Sequence, residues 1–179
     1  MFGRLFGAAS LMLACGALPA NADCDARARA VWAGSGKGVI AEAMLQGPTC
    51  ANAVATLVLR DSSGKPLWVD SRIGAQVMIF AGVGNRNAMV RALGDWIDQR
   101  RSQLARSDKL PNWPLGANAP QAGEFPFLPD SDVDREAYMK LRAQKLPMFC
   151  YVQGMESIAC VVHGSDGGVS KVGVQTFPG

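Results

Sequence analysis

Four cysteines, Cys24, Cys50, Cys150 and Cys160, constrain the fold most, because the segment before them addresses the chain to an oxidising compartment. That segment opens Met1-Phe2-Gly3-Arg4, with one positive charge and no acid. An apolar run from Leu5 to Leu18 follows, then Pro19 and the small-residue triplet Ala20-Asn21-Ala22. This is the layout of a secretory signal peptide over residues 1–22, with cleavage expected before Asp23. The run is shorter than the roughly 20 apolar residues a membrane span needs, so no transmembrane anchor is expected. Cys15 after Met12-Leu13-Ala14 is a minor lipoprotein alternative, and the Ala-Asn-Ala site fits the rules better.

In an exported chain an even number of cysteines reads as disulfides. The local pairing Cys24–Cys50 with Cys150–Cys160 is favoured among the three connectivities. Gly154 lies near the midpoint of Cys150 and Cys160, and strand-like residues flank it. Cysteines equidistant from a hairpin turn lie opposite each other, within bridging distance. A zinc site would want clustered thiolates or histidines beside them, and the chain has one histidine. No metal and no cofactor are expected.

Residues 23–179 have the length of one domain. Formal net charge is +3 for the full sequence, with Arg4 the one charge before residue 23, and no basic run exceeds Arg100-Arg101, so no nucleic-acid partner is expected. Ala26-Arg27-Ala28-Arg29 reads as a turn of helix. Strands are expected over 37–45, 53–60 and 67–69, the last two joined by the turn residues Asp61 to Pro66. The apolar run 76–81 is ambiguous between strand and helix.

Met89, Leu93, Trp96, Ile97 and Leu104 recur at helical spacing, which predicts a helix over 87–104 capped by Asn85 or Asn87. A second helix is predicted over 132–145, with Ser131 and Asp134 as a capping box and Pro147 as the stop. Strands 148–153, 157–163 and 169–177 close the chain. Strands at both ends around a helical middle predict an α+β fold: an antiparallel sheet of about five to six strands packed against two main helices.

Residues 107–130 carry five prolines, which argues against regular structure, yet Trp113, Phe125 and Phe127 lie among them. A disordered linker is poorer in aromatics, so an ordered Pro-rich loop packed on the domain is expected. Its aromatics read first as loop anchors and second as a rim for a partner or an apolar ligand. Leu110-Pro111-Asn112-Trp113 resembles a Leu-Pro-x-Trp run in one group of bacterial periplasmic lysozyme inhibitors. The likeness spans four residues and does not carry membership. The other candidate contact is the hairpin tip Gln153, Met155 and Glu156, which a disulfide at its base would hold rigid.

Catalytic signals are weak. His163 ends a strand beside Ser165 and Asp166, but sequence neighbours on a turn do not converge as a triad must, and no Gly-x-Ser-x-Gly elbow is present. It reads as a surface histidine on a hairpin. Glu156 and Asp166 have no evident cleft between them. Gly34-Ser35-Gly36-Lys37-Gly38 lacks the first glycine and the hydroxyl of a phosphate loop, and Gly82-Val83-Gly84 lacks the third glycine of a dinucleotide fingerprint. The expectation is a periplasmic or envelope binding module, inhibitor-like, whose partner is an envelope protein or a small apolar ligand. The alternatives are a small hydrolase built on His163 and a purely structural envelope protein. Oligomeric state is not legible.

Overall fold

A computed structural model describes residues 24–36, 38–102, 104–121 and 124–177. The segment 1–22, expected to be a leader, lies outside the described residues, and Cys15 with it. The α+β class stands: the described residues hold two α-helices, both local disulfides, and eight strands in two antiparallel sheets of four.

The first sheet is a meander of β1 (Cys24–Val31), β2 (Ile40–Gly47), β3 (Val54–Arg60) and β4 (Pro66–Ile73). β1 corrects the expected turn of helix. Ala26, Ala28 and Ala30 point inward while Asp25, Arg27 and Arg29 point out, which is the period of two of a half-buried strand. The β3–β4 turn forms as expected, with the Asp61 carboxylate accepting the Ser63 and Lys65 amides at 2.8 and 3.0 Å. The Cys24–Cys50 disulfide ties the start of β1 to the turn after β2.

Ala26, Ala28 and Ala30 of β1 lie beside Leu45, Ala43 and Ala41 of β2. This mostly alanine floor lets α1 (Arg86–Ile97) settle on β1 and β2. Met89, Ala92, Leu93, Trp96 and Ile97 form its buried stripe, spaced i, i+3, i+4, i+7 and i+8. The Asn85 side chain caps it, accepting from Ala88 N at 2.9 Å. The helix ends seven residues before the expected Leu104. Asp98 is extended there, and its carboxylate takes the Arg100 amide to start a separate 3-10 turn, Gln99–Arg101. The ambiguous run at 76–81 is also 3-10 turn, Gly74–Gln76 and Met78–Phe80.

The second sheet has the order β5-β8-β7-β6, from β5 (Phe127–Pro129), β6 (Met148–Val152), β7 (Ser157–His163) and β8 (Val169–Thr176). Phe149, Tyr151, Ala159 and Val161 share a core with the first sheet and α1. Met148, Cys160, Val162 and Val172 share another with Phe127, Leu110 and Tyr138 of α2 (Arg135–Gln144). The second sheet is thus covered on both faces. α2 begins later than expected because Asp134, not Ser131, is the cap, accepting from Ala137 N at 2.8 Å.

β5 corrects the expectation that 107–130 holds no regular structure. Its proline sits on an edge strand, where a missing N–H is tolerated. Gly173 makes room for it: a Cβ there would meet the Leu128 carbonyl oxygen and come within 2.7 Å of the Phe127 ring.

Candidate functional site

Cys150 and Cys160 are directly paired across β6 and β7, with Cα atoms 4.1 Å apart. That is the close, non-hydrogen-bonded type of antiparallel pair, so the Cys150 N–H and C=O point away from β7 to the open edge of β6. The edge is capped. Gln99 donates from Nε2 to Cys150 O at 2.9 Å and accepts from Cys150 N at 3.0 Å through Oε1, as a strand neighbour would. Trp96 Nε1 donates to Val152 O at 2.7 Å, and Met148 N donates to Ala105 O at 2.9 Å.

The β6–β7 tip does not protrude. Gln153 N donates to Ser157 O, Met78 N donates to Gly154 O, and Phe177 N donates to Glu156 O at 2.8 Å. Gln153 is occupied structurally as well: its Oε1 accepts from Arg72 at 3.3 Å and its Nε2 donates to Ser157 Oγ at 3.4 Å. Met155 and Glu156 remain exposed.

Between the end of α1 and this hairpin lies a groove of about 440 Å³. Trp96, Leu104, Ile79, Ile158, Phe125 and Phe177 supply apolar lining, with Asp95 and Asp98 on the α1 side. Phe125 and Phe177 meet edge-on at 5.2 Å between centroids. Their meeting follows from register: Phe127 faces Gln175 across β5 and β8, so residues 125 and 177 fall opposite each other. Thr176 N, donating to Pro126 O at 3.0 Å, extends that ladder beside Phe125.

The other predicted contacts do not join this groove. Phe127 is 0% exposed and belongs to the core. Trp113 is an anchor: its ring packs edge-on against Tyr138 at 5.4 Å and its Nε1 donates to Ala117 O at 2.8 Å. Arg135 Nε in turn donates to Trp113 O. Of the six predicted contacts, Phe125 lines the groove; Met155 and Glu156 do not line it and stand exposed on the β6–β7 turn, where the Glu156 carbonyl accepts the amide of the lining residue Phe177. Sequence reasoning missed Trp96, Ile79, Ile158 and Phe177. The recoverable signal was the aromatic at each end of a strand pair, but it required β5 to be recognised.

His163 is 4% exposed, which corrects its reading as a surface residue. Its ring lies 5.9 Å from that of Trp32, and its backbone N–H donates to Pro147 O at 3.0 Å. The Asp166 carboxylate accepts from Gly168 N at 3.0 Å, inside the turn.

A second polar assembly joins the sheets. Tyr151 Oη donates to Asp70 Oδ2 at 2.8 Å and accepts from Trp68 Nε1 at 3.2 Å, and Arg72 Nε donates to the same carboxylate at 3.0 Å. Burial, reinforced by the Asp70 charge, pushes the Tyr151 hydroxyl well above the usual phenol range. The phenol therefore serves as a fixed donor. Burial raises Tyr138 likewise.

Among the described residues no group of His, Cys, Asp and Glu is placed to hold a metal ion, and no helix is long and apolar enough to cross a membrane. Comparisons with protein-family models, with curated proteins and with solved structures find no match to this chain.

Proposed function

We propose that this chain is an exported envelope binding module, inhibitor-like in design, which docks an apolar segment of another envelope protein in the groove between α1 and the β6–β7 hairpin. The observation that carries this reading is the Phe125–Phe177 pair beside Trp96, Ile79 and Ile158 on a rigid frame. Interface energy concentrates in aromatic anchors, and a frame already fixed loses little ordering entropy on docking. The disulfide at the base of the hairpin and the three backbone hydrogen bonds at its tip supply that rigidity. The two disulfides suit an oxidising compartment. Catalysis at His163 has less support, because its ring packs on Trp32 and Asp166 is held within its own turn.

The test is retention of an envelope partner by the purified protein. Phe125→Ser and Met155→Ser should each weaken it, and Val69→Ser, on the outer face of the first sheet, should not. Equal behaviour of all three variants would refute the groove as the contact.

A further inference from the structure

We infer that a cavity beside Trp32 binds a small, uncharged, mostly apolar molecule that carries one hydrogen-bond acceptor. The cavity, of about 270 Å³, opens between the end of β1 and the end of α1, and Trp32, Gly34, Gly94, Ile97, Ala105 and Met148 line it. Asp98 borders both this cavity and the docking groove, but none of those six residues lines the groove. The inference does not depend on the docking reading.

A buried indole N–H ordinarily has a partner. The chain has four tryptophans, and three obey: Trp68 donates to Tyr151 Oη, Trp96 to Val152 O and Trp113 to Ala117 O. Trp32 is the exception. It is 2% exposed, and Phe149 holds its ring edge-on at 5.4 Å. Its backbone N–H donates to Val39 O and its carbonyl accepts from Ser35, yet its Nε1 meets no acceptor among the described residues. No sealed side-chain nitrogen or oxygen among the described residues lacks a partner, so Nε1 is not sealed and reaches the cavity that its ring lines.

Two glycines shape the space. A Cβ at Gly34 would stand 3.2 Å from Trp32 Nε1, so glycine leaves that N–H uncovered. Gly94 lies inside α1, where glycine is the least favourable residue after proline, and beyond the helix's own backbone a Cβ there meets nothing within 4 Å. The polar side chains at the α1 end are engaged elsewhere, Gln99 on Cys150 and Arg100 on Asp98. That leaves one fixed donor on mostly apolar walls. An ordered water wants several polar partners, so the surface suits an organic acceptor with an apolar body. A cavity of about 150 Å³ takes benzene, so this one takes a molecule of roughly ten heavy atoms.

Indanone and indane are matched probes, fused rings of one shape with and without a carbonyl oxygen. Each is titrated into nitrogen-15-labelled protein while the four tryptophan indole cross-peaks are followed by NMR, the Trp32 peak being identified by its loss in Trp32→Phe. Indanone should move the Trp32 indole proton downfield saturably and bind at least about threefold more tightly than indane. Gly34→Ala, at an exposed position whose backbone is not left-handed, should erase that preference by crowding Nε1. Gly94→Leu should fill the cavity and abolish binding of both probes, while the protein melts at or above the parent temperature. Equal binding of the two probes would overturn Trp32 as the selecting donor. A saturable shift that survives Gly94→Leu, or no saturable shift from either probe at millimolar concentration, would overturn the site.

Discussion

Gln99 is one side chain doing the work of a β-strand, and its replacement gives a sharp prediction. Its amide makes two hydrogen bonds to Cys150, at 2.9 and 3.0 Å, at the middle of the β6 edge that faces away from β7. Each such bond contributes roughly 0.5–1.5 kcal/mol net, so Gln99→Ala should cost about 2 kcal/mol. For a domain of this size that lowers the melting temperature by about 4–8 °C. Gln99→Glu separates the two bonds. A carboxylate still accepts the Cys150 N–H, but it turns a second acceptor toward the Cys150 carbonyl.

The protonated acid can donate again, so folding favours the neutral form and raises that carboxyl's pKa above its unfolded value. Its stabilising contribution is then present at low pH and lost as the pH rises through the folded value. Thermal melts followed by circular dichroism across the acidic range measure this. Gln99→Glu should melt lowest at neutral pH and gain on Gln99→Ala as the solution is acidified. A Gln99→Ala melt within about 1 °C of the parent protein, or a flat pH profile for Gln99→Glu relative to Gln99→Ala, would refute the strand-mimic account. Freeing the Cys150 N–H and C=O at the middle of the β6 edge should also promote self-association, visible in sedimentation.

Gly173→Ala should cost about 1–3 kcal/mol, because its Cβ collides with the β5 backbone; proteolysis near Phe127 should rise with the lower melting temperature. Removing both cysteines of the Cys150–Cys160 bridge should cost about 2–3 kcal/mol in denaturant unfolding, and removing Cys24–Cys50, which closes a longer loop, about 3–4 kcal/mol. The chain's two tyrosines, Tyr138 and Tyr151, are both buried with raised pKa values. Their neutral forms favour the fold below the ordinary phenol value of about 10, and that contribution drains away as the pH climbs beyond it. Tyrosinate absorbance should therefore appear together with alkaline unfolding, and a separate titration near pH 10 in the folded protein would contradict the placement of both rings.

The disulfide pairing and both helices were legible because their signals are local: cysteines equidistant from Gly154, and the apolar stripe from Met89 to Ile97. β1 was not, since Ala and Arg are both good helix formers and the pull of a neighbouring strand overrides that preference. A sheet of five to six strands and two sheets of four look alike in sequence, because pairing partners across a domain leave no local trace. The same limit hid the groove. Phe125 was visible as one of three aromatics in a Pro-rich loop, but its partner Phe177 lies 52 residues on, and only the β5–β8 register brings them together. His163 went wrong for a related reason: Trp32, which covers its ring, comes from the far end of the chain.

The most direct test of the groove as the working surface is site-specific photocrosslinking in the native compartment, with the photoreactive residue placed at Phe125, at Met155 or, as a control, at Val69. The account predicts the same discrete crosslinked partner from Phe125 and Met155 and none from Val69. Adducts from Val69 alone, or the same adducts from all three positions, would contradict it.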